Sequence, residues 1–186
     1  MNQYIEYAAV LLGAIYVVLA SRNIIWCWPA GIISSLLYIY INLFHTLYQD
    51  ALLQTYYVVA GAYGWWVWTK KESNEDSADI VSCSLSQILK LLLLGVILVP
   101  LFGFAFSRLG NALPYLDASV TVFSFIATWM TAKKILQSWL FWIVIDVAAA
   151  TMYYLKGLHP TTGLYLFFTT AALYGYYEWR KQLREA

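Results

Sequence analysis

Apolar residues run along this chain in long blocks, separated by short polar interruptions, and each block is about as long as a membrane-crossing helix needs to be. A spanning helix takes about 20 mostly apolar residues. The first block runs from Tyr4 to Ala20 and stops at Ser21-Arg22-Asn23. The second begins near Trp28-Pro29, where proline suits a first helical turn, and reaches Leu47. Gln49-Asp50 breaks the run, and a third block covers Ala51 to Trp68. The clearly soluble stretch follows, Thr69 to Ser84, with KKESNEDSAD at its centre. A fourth block covers Leu85 to Phe106, where Pro100 predicts a kink. Gly110 to Asp117 reads as a turn-rich loop, and a fifth block runs from Ala118 to Ala132, ending at Lys133-Lys134. The sixth spans Trp139 to Leu155, ended by Lys156-Gly157, and the seventh spans Thr161 to Trp179, followed by Arg180, Lys181 and Arg184. The pattern predicts an all-α integral membrane protein of seven transmembrane helices.

The two halves of the chain match each other. Ala62-Tyr63-Gly64-Trp65-Trp66-Val67-Trp68 resembles Leu173-Tyr174-Gly175-Tyr176-Tyr177-Glu178-Trp179, and Arg22 to Trp28 parallels Leu136 to Trp142. Residues 1–69 then read as a first three-helix repeat, 70–84 as a cytoplasmic loop, 85–109 as a linker transmembrane helix and 110–186 as a second three-helix repeat. Because four spans precede the second unit, both insert the same way up. The expected architecture is a 3+1+3 parallel repeat about an axis along the membrane normal, as transporters use to build a site between two halves.

Composition agrees with a lipid solvent. Hydrophobic residues make up 62% and charged residues 11% of the 186, far from the balance of a soluble domain, which must leave much of itself facing water. A net charge of +1 with no basic stripe gives nucleic acid nothing to bind. The basic residues are unevenly shared between the two sides. Arg22, Lys70, Lys71, Lys90, Lys133, Lys134, Arg180, Lys181 and Arg184 fall on the C-terminal side, and only Arg108 and Lys156 on the other. The positive-inside rule then puts the C-terminus in the cytoplasm and the N-terminus outside. Trp26, Trp28, Trp65, Trp66, Trp68, Tyr176, Tyr177 and Trp179 gather where interfacial anchors belong. MNQYIEYAAV lacks the basic start and small-residue cleavage site of a signal peptide and reads as a retained helix. Cys27 and Cys83 stand far apart, and His45 and His159 are isolated, so no metal site or cofactor is expected.

Polar groups inside a membrane are costly, and a row of them on one face points to a pathway. Asp117, Thr121, Ser124, Thr128 and Thr131 recur at steps of three and four in the fifth helix. Trp28, Ser35, Tyr38 and Asn42 stand in similar register in the second, and the seventh offers Thr162, Tyr165, Thr169 and Tyr176. Ser and Thr also let helices pack closely without serving any ligand. In the sixth helix Trp139, Trp142 and Asp146 stack on one face, with Asp146 inside the run WIVIDVAAA. Two indoles flanking a carboxylate suit a flat cationic or hydrogen-bonding ring. An interfacial anchor and a structural Asp bonded to a neighbouring helix would give the same pattern. Gln54 shares a face with Tyr57 and Gly61 and either reads a ligand or bridges two helices. Gly61, Gly64 and Gly175 would permit close approach of moving helices. No nucleophile–base pair, paired catalytic carboxylate or phosphate loop is present, so an enzyme is not expected. A non-transporting receptor or assembly protein is the reading from a different class.

WLFWIVID (Trp139 to Asp146) resembles the W-x-x-W-x-x-x-N/D motif of the Pnu family of bacterial vitamin transporters. The resemblance extends to LYQDALLQTYY (Leu47 to Tyr57), Ala62-Tyr63-Gly64-Trp65 and YLDASVTVFSFIATWMTAKK (Tyr115 to Lys134), covering nearly the whole chain. It implies a SWEET-like full-length arrangement in the bacterial inner membrane and a homotrimer. It also implies facilitated diffusion of a vitamin, trapped afterwards by a cytoplasmic kinase. Trp139, Trp142, Asp146 and Gln54 would contact the solute by this resemblance, with Tyr57, Trp28, Tyr38, Asn42, Thr121, Ser124 and Thr128 lining the path. Family members carry nicotinamide riboside, thiamine or riboflavin. An aminopyrimidine matches a carboxylate in bidentate fashion, so Asp146 ranks thiamine first and nicotinamide riboside as the alternative.

Overall fold

The computed structural model describes residues 3–44, 48–72, 80–155, 157 and 159–185. His45, Lys156 and the centre of the charged loop, 73–79, lie outside the described residues. The described chain forms seven helices: α1 (Gln3–Ser21), α2 (Cys27–Phe44), α3 (Tyr48–Glu72), α4 (Leu85–Arg108), α5 (Pro114–Ala132), α6 (Ser138–Leu155) and α7 (His159–Glu185). Tyr4–Ser21, Cys27–Phe44, Leu85–Arg108 and Ser138–Leu155 are long and apolar enough to cross a membrane on length and composition. In α3, α5 and α7 the polar residues of the predicted stripes and of the helix ends dilute the apolar run.

The helices run further than the hydrophobic blocks where local bonds carry them on. α3 continues past Trp68 to Glu72: Thr69 Oγ1 donates to the Trp65 carbonyl at 2.9 Å and Lys70 lies over the Trp66 ring at 4.2 Å. α7 reaches Glu185, helped by Gln182 Nε2 donating to Glu178 Oε1 at 3.2 Å, one turn away. α5 starts at Pro114, inside the segment expected to be a loop, because proline at the first turn gives up no needed hydrogen bond. α4 is a single helix through Pro100; Ser84 and Gln87 close a capping box at its start.

Neighbouring helices pack in chain order within two groups, α1–α2–α3 and α5–α6–α7, and the groups meet where α1 touches α7 and α3 touches α5. Among the described helices α4 packs on α5 alone, seating Gly95 against Phe123 and Gly103 against Tyr115. Its other faces expose Leu89, Leu93, Val96, Ile97 and Leu101. Ile80 to Ser82 ties the start of α4 to the α5–α6 turn. Val81 pairs with Ile135 in a parallel bridge, with Val81 N–H donating to the Lys134 carbonyl and Leu136 N–H to that of Val81, both at 2.9 Å.

Where the groups meet, four indoles stack into one cluster. Trp28 meets Trp68 edge-to-face at 5.4 Å and 88°, Trp139 meets Trp179 at the same distance and angle, and Trp68 touches Trp179 at 6.0 Å. The turns before α2 and α6 are built alike. Asn23 and Lys134 both take positive φ, 60° and 56°, and Ile24 N–H donates to the Leu19 carbonyl as Ile135 N–H donates to that of Met130. Trp28 and Trp139 each lie five residues beyond the positive-φ residue of their turn. By this geometry the turn from Arg22 resembles the one from Lys133.

This cluster also corrects two expectations. Trp28, Trp68 and Trp179, at 1%, 0% and 0% exposure, are core residues and not interfacial anchors, because each is enclosed by rings from a neighbouring helix. Trp26, Trp65, Trp66 and Tyr177 are exposed as an aromatic belt requires. The glycines lie inside each helix group, not between groups: Gly64 admits the Trp28 ring, Gly61 faces Ile32 and Gly175 faces Trp139. A Cβ on Gly175 would sit 2.7 Å from the Trp139 indole. Gly175→Ala should thus lower the thermal midpoint of the detergent-purified protein, overpacking costing about 1–3 kcal/mol. Gly163→Ala, which meets nothing within 4 Å, should leave it unchanged.

Candidate functional site

Asp146 sits two turns into α6 and is 5% exposed. Among the described residues it has no hydrogen-bond or ion-pair partner. A carboxyl group taken from water without compensation costs several kcal/mol, so its retention in an apolar helix asks for an explanation. Around it stand tyrosines from two other helices. Tyr165 of α7 lies within electrostatic reach of Asp146, as does Tyr57 of α3, which in turn lies close to Ser124 of α5. α3, α5, α6 and α7 thus each send a polar side chain to one place.

The α5 stripe faces inward as expected: Thr121, Ser124, Thr128 and Thr131 are all buried. Two of its hydroxyls are spent on their own helix, Thr128 Oγ1 donating to the Ser124 carbonyl at 2.7 Å and Thr131 Oγ1 to that of Ala127 at 2.9 Å. Asp117 at the head of the stripe accepts from Asn111 Nδ2 at 2.6 Å and belongs to the helix start. Thr121 and Ser124 are the members closest in role to a lining.

Trp142, one turn before Asp146, is half-buried and donates its indole N–H to Thr131 Oγ1 at 3.1 Å, which fixes the ring between α5 and α6. Trp139, expected to contact the solute, and Trp28, expected to line its path, are closed into the indole cluster at 3% and 1% exposure, and their Nε1 atoms have no partner among the described residues. Gln54 is half-buried and Asn42 buried; neither has a hydrogen-bond partner among the described residues. Tyr38 is half-buried and lies in electrostatic reach of Glu6 of α1. The structure therefore gathers Asp146, Tyr57 and Ser124, holds Trp142 beside them through Thr131, and places Trp28 and Trp139 in the core.

Tyr153 was outside the sequence reading. It continues the face of Trp139, Trp142 and Asp146 by two further turns, and that periodicity is the signal that finds it. Its ring stacks on Tyr165 at 5.2 Å and 18°.

Comparison with known proteins identifies the architecture. The family described as nicotinamide mononucleotide transporter matches residues 3–181. The chain belongs to this family, the Pnu family of vitamin transporters. It is 27% identical over 208 residues to the nicotinamide riboside transporter PnuC of Escherichia coli (strain K12), covering 98% of this chain and 87% of that one. It is 21% identical over 174 residues to the riboflavin/roseoflavin transporter RibM of Streptomyces davaonensis, covering 91% and 81%. The crystal structure of the vitamin B3 transporter PnuC shares the fold, with a TM-score of 0.80 at 23% identity over 99% of this chain and 83% of that one. The protein is a multi-pass membrane transporter of the vitamin class. These relatives give no support to the thiamine preference drawn from Asp146. A carboxylate suits any cationic ring, and thiamine is only one of them.

Proposed function

We propose that this chain carries nicotinamide riboside into the cell by facilitated diffusion, with Asp146 as the counter-ion of the solute. The observation that carries this reading is the buried, unpartnered Asp146 among Tyr57, Ser124, Tyr165 and Trp142. Nicotinamide riboside presents a flat pyridinium cation with a carboxamide and a ribose. The cation neutralises the carboxylate, aromatic rings stack on the pyridinium, and the hydroxyls of Tyr57 and Ser124 bond to carboxamide or ribose. The relatives named for nicotinamide riboside support this solute over thiamine, and riboflavin, having no permanent positive charge, makes less use of Asp146. Gln54, Asn42, Tyr38 and Thr121 serve the path on either side of the site. Trp28 and Trp139 support it through the core.

The reading includes the architecture. All seven helices cross the bilayer as a 3+1+3 parallel repeat, with residues 1–69 and 110–186 as the two units, 85–109 as linker and 70–84 in the cytoplasm. The basic bias supports an N-terminus outside and a C-terminus inside, in the bacterial inner membrane. The recurrence of the Trp28 turn at Trp139 and the equal ring geometry of the two indole pairs support the repeat. Rocking of one unit against the other then alternates access, a homotrimer buries part of the apolar outer surface, and a cytoplasmic kinase traps the solute.

Calorimetric titration of the detergent-purified protein with nicotinamide riboside, thiamine and riboflavin in parallel tests the solute. Binding of nicotinamide riboside alone is the expected result; binding of thiamine or riboflavin alone would overturn the assignment.

A further inference from the structure

The Asp146 site has a sealed end and a lightly closed one. Trp139 in the first turn of α6 and Trp179 near the end of α7 lie on one side of it, within the cluster of four interlocked indoles. On the opposite side, near the end of α6 and the start of α7, Tyr153 stacks on Tyr165, and beyond them Tyr154 meets the His159 ring at 5.6 Å. Tyr165 is braced edge-to-face by Phe168 at 5.8 Å and 88°. Both tyrosines are half-buried, unlike the enclosed indoles. Tyr165 lies within electrostatic reach of Asp146 and Tyr57, and Tyr153 within that of Asp50 and Asp117, at the starts of α3 and α5. The pair therefore bridges the carboxylates at that end of the bundle and the buried carboxyl within.

We propose that the stacked Tyr153–Tyr165 pair is the door to the Asp146 site from the end that carries Asp50 and Asp117, and that it selects for flat aromatic cations as they pass. The rings sit on adjacent helices of one group, so they can part without separating the two groups. A flat cation offers each ring, as it parts, a face to replace the one it loses, through stacking and cation–π attraction. A saturated or neutral solute offers no such replacement. This inference rests on Asp146 being the solute site.

The test is thiol labelling of Ser124→Cys, a buried position close to Tyr57. Cys83→Ser removes the half-exposed native thiol, and buried Cys27 stays. Membrane vesicles of both orientations are treated with a membrane-impermeant methanethiosulfonate carrying a trimethylammonium group. A parallel Ser107→Cys protein reports which face bears Asp117, since exposed Ser107 lies at the end of α4 that leads into α5. Tyr165→Ala is expected to speed labelling about tenfold from the Ser107 face only, the loss expected for one aromatic stack. Tyr153→Ala, on the other helix, should do the same. Tyr165→Phe keeps the stack and should stay within about twofold of the parent. Unchanged rates in both alanine variants, or acceleration from the opposite face, would overturn the door. The site itself is read separately, by titration of Asp146→Asn with nicotinamide riboside. Undiminished binding there refutes the site whatever the labelling rates.

Discussion

Asp146→Asn should weaken nicotinamide riboside binding about 10- to 100-fold while the protein melts no lower than its parent. The first half follows from charge. A desolvated charge-assisted contact contributes about 1.5–3 kcal/mol, and 1.4 kcal/mol is a factor of ten. Asparagine keeps the shape and one acceptor oxygen but surrenders the negative charge. The second half separates a solute site from a structural aspartate. A structural Asp holds a neighbouring helix through a hydrogen bond, and its replacement leaves a partner unpaired, at a cost of about 1–3 kcal/mol. Asp146 has no such partner among the described residues, so asparagine removes a desolvation penalty and orphans nothing. Titration calorimetry reads the first quantity and thermal unfolding of the ligand-free protein the second. Weak binding together with a lowered melting point would return Asp146 to a structural role. Weak binding at an unchanged or raised melting point assigns it to the solute.

The helices were legible because lipid imposes a simple rule on length and polarity: the block boundaries agree with α1, α2, α4 and α6 to within a few residues. Ends set by single side chains were not. Pro114 opened α5 early, and the Glu178–Gln182 pair helps carry α7 beyond Trp179, neither of which a hydropathy block encodes. The stripe on α5 and the isolated carboxyl on α6 were visible from periodicity, since four buried hydroxyl residues and one Asp share faces at helical spacing. What those hydroxyls bond to was not visible: Thr128 and Thr131 turn back onto their own helix. The burial of Trp28 and Trp139 was not legible for a different reason. An indole near a helix end looks the same in sequence whether it meets lipid headgroups or another indole, and only the approach of α3 to α2 and α7 to α6 through Gly64 and Gly175 decides. The solute was the least legible feature, because a carboxylate records a charge and not the molecule that brings its opposite.

The four indoles offer the largest expected effect on stability, and a comparison within the cluster that no anchor at a membrane surface would give. Trp179→Ala empties a fully buried site that touches both Trp139 and Trp68, and a buried aromatic truncated to alanine costs about 3–5 kcal/mol. Trp68→Ala removes a ring of the same size, enclosed by Trp28 and Trp179, and should cost a similar amount. The phenylalanine variants separate the two positions. Trp179 Nε1 donates to the Ala20 carbonyl of α1 at 3.0 Å, which ties the last helix of one group to the first of the other. Phenylalanine loses that bond; because the same carbonyl also accepts from Asn23 N–H at 3.0 Å, the loss is about 1 kcal/mol and no larger. Trp68 Nε1 is buried with no partner among the described residues, so phenylalanine there discards an unpaired donor and keeps an aromatic face beneath Lys134, whose Nζ lies 4.7 Å from the ring centroid. Thermal unfolding of the purified variants should therefore place Trp179→Phe clearly below Trp68→Phe, with Trp68→Phe close to the parent and both alanines lowest. Interfacial anchors would give mild, nearly equal losses in all four, because a ring already in contact with water and headgroups leaves no cavity behind.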